Sequence, residues 1–190
     1  MKLSRTLAVA AVLLLAAPLL SQGQTATEKD PMDRVLAELQ AGHDDKAMAA
    51  LDQAIKQQPN NADAYLLRGS LKVQFDRAAA LADFNKVIEL KPDSGAAYHQ
   101  RALLRLMNQD VAGALKDLDA SVAHNYKGDG IYTLRAQLRR QLGDMKGALA
   151  DFDLSIKLNP NNPRSYHDRG AVPARVAGRG SSPTVREGFN

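Results

Sequence analysis

The sequence predicts an all-α fold, a solenoid of antiparallel helix pairs. The chief observation is a repeat: Ala47 to Ala80 is 33 residues, and Ala80 to Ala114 and Ala114 to Ala148 are 34 each. Tyr65, Tyr98, Tyr132 and Tyr166 follow the same intervals of 33, 34 and 34. The second observation is compositional. The chain is 45% hydrophobic and 24% charged, yet only 5% aromatic with no Trp, so its core must be made mainly of Ala, Leu, Val and Ile. Those side chains favour close helix packing over a β-sandwich.

The first 23 residues stand outside the repeat. Lys2 and Arg5 form a positive head, Leu7 to Leu20 is an uncharged apolar run, and Ser21 and Gly23 are small residues at a spacing a signal peptidase accepts. This is the layout of a cleaved secretory signal peptide, residues 1–23, with a linker at 24–31. The run is short of the roughly 20 apolar residues a membrane-spanning helix needs. No Cys follows it for lipid attachment, and the head has no Arg-Arg pair. The expected location is the periplasm or the medium, with no stable membrane anchor after cleavage.

Each repeat then opens with one helix and closes with another. First helices carry Tyr65/Arg68/Gly69/Lys72, Tyr98/Arg101/Ala102/Arg105 and Tyr132/Arg135/Ala136/Arg139, offsets of 3, 4 and 7 that share one helical face. Second helices carry Ala47/Leu51/Ala54/Ile55, Ala80/Phe84/Val87/Ile88, Ala114/Leu118/Ser121/Val122 and Ala148/Phe152/Ser155/Ile156, an amphipathic 0, 4, 7, 8 stripe. Tyr65 to Ala80 is one residue shorter than Tyr98 to Ala114, so the shortened turn lies around Phe75–Arg77. Pro59, Pro92 and Pro160 end second helices. The third repeat has Tyr126 instead, followed by Lys127-Gly128-Asp129-Gly130, which predicts a looser connection. A single pair cannot bury both faces; stacked pairs bury a continuous core, each touching only its neighbours.

These residues resemble the tetratricopeptide repeat, a helix–turn–helix unit of about 34 residues. The likeness runs from about Asp30 to Gly170. The aromatic opener is matched by Tyr65, Tyr98, Tyr132 and Tyr166, and the small residue by Gly69, Ala102, Ala136 and Gly170. The segment Gln141 to Asn162, with its Gly143-Asp144 turn, matches best. The chain departs from the family where Arg precedes the small residue and Lys or Arg follows it. Repeat one departs too, with Pro31 near its start, and is expected to serve as an N-terminal cap. The resemblance implies a right-handed superhelix over residues 32–172, of about four helix pairs plus one extra helix, in a protein of the exported bacterial type.

Residues 163–172 begin a fifth repeat whose second helix does not follow. Residues 173–190, with two Pro, three Gly and no apolar stripe, are predicted to be a disordered basic tail. Either the uncapped end docks on a second copy, making a homodimer, or the tail comes from a shifted reading frame.

Little in the sequence points to catalysis. The chain has no Cys, which removes disulfides, thiolate zinc sites and cysteine nucleophiles together. His43, His99, His124 and His167 fall at different repeat positions without metal-ligand spacing. Ser121 and Ser155 are expected to bond back to the preceding helical turn, and no glycine-rich phosphate loop follows a strand. No catalytic residue, metal or cofactor is assigned. The formal net charge is +4, but residues 24–162 carry 18 Lys+Arg against 19 Asp+Glu, so a nucleic-acid surface is not expected.

Like charges four apart on a helix, as in Arg68/Lys72, Arg101/Arg105 and Arg135/Arg139, repel unless paired. Asp83, Asp117 and Asp151 recur at fixed offsets on the second helices, which predicts a structural ladder of Arg68–Asp83, Arg101–Asp117 and Arg135–Asp151. The competing reading is a basic stripe for an acidic ligand. Repeat one has Ala50 in place of the Asp, leaving Arg34 unpaired.

The family resemblance further implies that first helices line a concave groove holding a partner's peptide or helix. Carried onto this chain, the groove is Leu66, Ser70, Val73, His99, Leu103, Leu106, Thr133, Gln137 and Arg140. The Lys and Asn clamp by which some members hold a terminal carboxylate is absent, with Leu66, Ser70, His99 and Leu103 in its places. The expected role is a non-catalytic protein-interaction scaffold. Alternatives are a self-associating structural repeat protein or an accessory subunit of an envelope enzyme complex.

Overall fold

The structure, a computed structural model, describes residues 30–126 and 129–173. The segments expected to be a leader (1–23) and most of those expected to be a linker (24–31) and a tail (173–190) lie outside these residues. Nine helices and no strands occur among the described residues: α1 Pro31–Gln40, α2 Asp44–Gln57, α3 Ala62–Lys72, α4 Arg77–Leu90, α5 Gly95–Met107, α6 Val111–Ala123, α7 Asp129–Gln141, α8 Met145–Leu158 and α9 Pro163–Gly170. Each packs chiefly on its neighbours in sequence, giving four antiparallel pairs and a final single helix. This is an all-α superhelical solenoid. None of these helices is long and apolar enough to cross a membrane.

Local chemistry sets the helix ends. Asp30, Asn61, Asp76, Ser94, Asp110, Asp144 and Asn162 each accept a hydrogen bond from a backbone N–H of the first turn they precede. Each satisfies a donor the helix itself cannot. The turn inside repeats one, three and four passes through the left-handed region at Gly42 (φ 73°), Gln109 (φ 63°) and Gly143 (φ 87°). There the chain closes with a six-to-one bond: His43 N to Glu38 O, Asp110 N to Arg105 O and Asp144 N to Arg139 O. Repeat two has no left-handed residue, and Asp76 N bonds Lys72 O instead. That is the physical form of its missing residue. A non-glycine in this region costs about 1 kcal/mol, so Gln109 carries strain its Gly counterparts do not.

The third pair ends without a proline by the same device. Asn125 adopts φ 61°, and Tyr126 N bonds Ser121 O at 3.1 Å. Up to Tyr126 the connection is therefore a regular helix cap; Lys127 and Gly128 lie outside the described residues.

The core is four clusters in register. Each joins one pair to the first helix of the next: Leu51 with Leu67, Phe84 with Ala97 and Leu104, Leu118 with Ile131 and Leu138. In the fourth, Phe152 is joined by Val172, just beyond α9. Leu51, Phe84, Leu118 and Phe152 are all fully buried, each stabilising by about 1.5–3 kcal/mol. Small residues make the approach possible. A Cβ on Gly69 would lie 2.8 Å from Phe84 Cε1, whereas one on Gly170 meets none of the described residues within 4 Å.

Gly69→Ala is expected to destabilise by about 1–3 kcal/mol through overpacking. Gly170→Ala, unobstructed, should be neutral or stabilise by up to about 1 kcal/mol. Urea denaturation distinguishes them, and equal effects at the two positions would contradict the seam described here.

Candidate functional site

The charged ladder holds the array rigid. Arg68 donates from Nε and Nη2 to Asp83 at 2.9 and 2.6 Å, and Arg101 does the same to Asp117 at 2.8 and 2.6 Å. Arg135 grips Asp151 in the same two-pronged way. The second cation of each repeat closes on the same carboxylate: Lys72 Nζ at 3.1 Å from Asp83, Arg105 Nη1 at 2.9 Å from Asp117, Arg139 Nη1 at 2.9 Å from Asp151. The like-charge spacing thus serves a shared buried anion. The three Asp residues are at most 4% exposed. Each guanidinium also stands 5.4–5.6 Å from the centroid of its repeat's Tyr ring.

A further contact was not read from the sequence. Each Arg reaches back to the preceding pair: Arg68 Nη1 to Asp52 at 2.8 Å, Arg101 Nη1 to Asn85 at 2.8 Å, Arg135 Nη1 to Asp119 at 3.2 Å, Arg169 Nε to Asp153 at 2.5 Å. The signal was present, since Asp52, Asn85, Asp119 and Asp153 each directly follow the bulky core residue. One guanidinium therefore ties two helix pairs and three helices together. The Asp83 and Asp117 hydrogen bonds raise the pKa of Arg68 and Arg101. For Arg135 burial pulls the pKa down, but the bonds and charge of Asp151 outweigh it and the pKa is raised. Arg34 is exposed and makes no ion pair among the described residues. It lines a cleft with Pro31, Ala37, Ala50 and Gln53 at the N-terminal end.

The groove positions divide by depth. Val73, His99, Leu103, Leu106 and Arg140 are half-buried and line the first-helix face. Leu66 and Thr133 do not: Leu66 is 8% exposed within the second core cluster, and Thr133 is 6% exposed. Both are corrected from groove to core. Ser70 spends its hydroxyl on Leu66 O at 2.8 Å. Gln137 donates to Asp168 on α9 at 2.5 Å, so its amide is partly committed. Near it, Arg140, Arg164 and Gln141 border a polar recess.

Thr133 belongs to a hydroxyl cluster. Its Oγ1 is 2.8 Å from Ser155 Oγ and 3.1 Å from Ser165 Oγ, and the two serines are 2.8 Å apart. Ser121 donates to Gly95 O, 26 residues away, at 2.7 Å. Ser121 and Ser155 thus both bond across the helix interface, a contact beyond the expected bond to the preceding turn.

His99 is the exception among groove groups. Its ring stacks on Tyr126, centroids 4.8 Å apart, and its buried Nδ1 has no hydrogen-bond partner among the described residues. Burial lowers its pKa below the usual 6.5. Burial also raises the pKa of Tyr126, which stays neutral beside it.

Asp151→Ala strands Arg135 and Arg139 and should cost about 3–5 kcal/mol in urea unfolding. Asp153→Ala, in a surface pair, should cost less than about 1 kcal/mol. Comparable losses would show that burial does not govern the ladder. His99 binds a proton less readily folded than unfolded. Its stability contribution is therefore complete above the ordinary imidazole value near 6.5 and drains as pH falls through the lower folded value. Thermal melts between pH 7.5 and 5 should show a fall in Tm that His99→Leu reduces; an unchanged pH profile in that variant would assign the fall to other groups.

Comparison with known proteins fits this geometry. Residues 32–71 and 130–162 match family models of the tetratricopeptide repeat. The chain is 47% identical over 47 residues to tetratricopeptide repeat protein 36 of Mus musculus, and 44% over 48 residues to that of Bos taurus. Each match spans a quarter of this chain and about a quarter of the relative. Among solved structures, MamA superposes with a TM-score of 0.67 at 21% identity, covering 78% of this chain and 81% of that one. YrrB, described as a tetratricopeptide repeat protein with an unusual peptide-binding site, gives 0.66 at 18%, covering 76% and 75%. Identities this low speak to the fold alone. Residues 32–71 and 130–162 are thus tetratricopeptide repeats, and the register of Phe84, Leu118 and Phe152 with the repeated Arg–Asp geometry carries the same helix-pair unit through the segment between them.

Proposed function

We propose that the chain is a non-catalytic scaffold that holds a segment of another protein against the face of α3, α5 and α7. The observation that carries this is the half-buried strip Val73, His99, Leu103 and Leu106 running toward Arg140. It is apolar enough to gain from desolvation and graded in charge at one end, and the ladder fixes its curvature. A preformed surface avoids most of the ordering cost that a flexible one would meet on binding. The peptide-binding site named for YrrB supports the same use of the fold here. With Leu66, Ser70, His99 and Leu103 where a carboxylate clamp would be, an internal amphipathic segment suits the strip better than a chain terminus. The apolar run Leu7–Leu20 behind Lys2 and Arg5 supports placing this scaffold in the periplasm or the medium.

The test uses the mature chain from the exported fraction, whose N terminus is expected at Gln24. A photo-crosslinking residue replacing Leu103 should capture a partner protein, and one replacing the exposed Lys116 should not. Leu103→Glu with Leu106→Glu should retain the helical circular dichroism and lose capture. Undiminished capture by that double variant, or a chain recovered with its leader intact and unexported, refutes the respective part of the proposal.

A further inference from the structure

Among the described residues α9 is a first helix with no second helix beside it, and the rest of the molecule shows what such a helix receives. In three repeats the partner helix presents small–x–x–Asp–bulky: Ala80/Asp83/Phe84, Ala114/Asp117/Leu118 and Ala148/Asp151/Phe152. The Asp is gripped by the Arg of the first helix, and the bulky residue covers the small residue that follows that Arg. On α9 the opening Tyr, the Arg and the small residue of the receiving half are present as Tyr166, Arg169 and Gly170, while Pro173 stands where Lys72, Arg105 and Arg139 supply the second cation. Arg169 reaches back to Asp153 of the preceding pair through Nε, where its three counterparts use Nη1, which leaves its two terminal nitrogens for a forward carboxylate. Among the described residues it has no carboxylate in the forward position. Gly170, the counterpart of Gly69, has no described residue within 4 Å of its Cβ position, where Phe84 covers Gly69. Tyr166 is 50% exposed, while Tyr65, Tyr98 and Tyr132 are half-buried.

The chain's own continuation does not carry the matching residues. The Arg-to-Asp interval is 16 in repeats three and four. It falls on Val185 after Arg169, and the bulky position falls on Arg186. A helix there would offer a cation to a cation. We infer that the α9 end is a docking site for a partner's amphipathic helix bearing a small–x–x–Asp–bulky stripe, which completes the fifth repeat in trans. Its Asp pairs with Arg169, and its bulky side chain fills the space over Gly170 against Tyr166. This surface is separate from the first-helix groove, and the inference stands without the reading proposed for that groove.

The chain supplies its own probe. A labelled peptide of residues 76–91, containing Ala80, Asp83 and Phe84, is titrated into the full-length protein and followed by fluorescence anisotropy. Saturable binding is expected. Asp83→Lys in the peptide or Arg169→Glu in the protein should each weaken it by roughly tenfold or more, and the two reversals together should recover most of the loss. Gly170→Leu, whose added side chain starts clear of the described residues, should abolish binding without lowering the melting temperature. Absence of saturable binding overturns the inference, as does binding indifferent to both Arg169→Glu and Gly170→Leu. Sedimentation supplies one more outcome: a dimer of the full chain that Arg169→Glu dissolves would seat a second copy at this end and overturn the assignment to a separate partner.

Discussion

Everything in this solenoid depends on how a carboxylate can be kept in a helix interface. Asp83, Asp117 and Asp151 are nearly inaccessible, each one residue before a core side chain. An unpaired charge buried in this way is costly. Two cations from the facing helix offset that cost, and the bidentate guanidinium fixes direction as well as charge. The facing helix can therefore neither slide nor rotate without stranding the anion. Because the same guanidinium also holds Asp52, Asn85 or Asp119 of the preceding pair, the constraint passes from one pair to the next. The apolar seams supply the favourable free energy. The ions restrict the stack to one geometry.

Periodicity made the fold and half of this ladder legible. Residue types recurring at 33 or 34 positions place Arg and Asp opposite each other without coordinates. The rearward contacts are equally periodic, but they cross from one repeat to the next, and in sequence Asp52 or Asp153 look like ordinary surface charges one residue past a core position. The groove was less legible. Leu66, His99 and Thr133 occupy the same repeat position, yet the structure puts Leu66 and Thr133 in the interior and His99 at an edge. Depth at that position is decided by the next pair, through Ala97, Ile131 and Ser165, and by Tyr126 standing where other repeats have proline. A family register names the helix face but not how far a neighbour overlaps it.

The shortened turn of repeat two shows the same division between pattern and geometry. Counting residues located the deletion near Phe75–Arg77. Only the backbone shows that what was deleted is the left-handed residue itself, leaving a tighter i to i−4 closure and an exposed Phe75. The ladder spans the change undisturbed, since Arg68 and Asp83 still meet at 15 residues where their counterparts meet at 16.

The buried layer at that variable position changes in kind along the stack. It is Leu66, Val87 and Ala97 in one interface, His99, Ser121 and Ile131 in the next, and Thr133, Ser155 and Ser165 in the last. Hydrocarbon cohesion weakens on cooling, whereas hydroxyl-to-hydroxyl bonds draw less on the entropy of water. At this one layer, then, successive joints depend differently on temperature, while Phe84, Leu118 and Phe152 give each of them the same apolar seam.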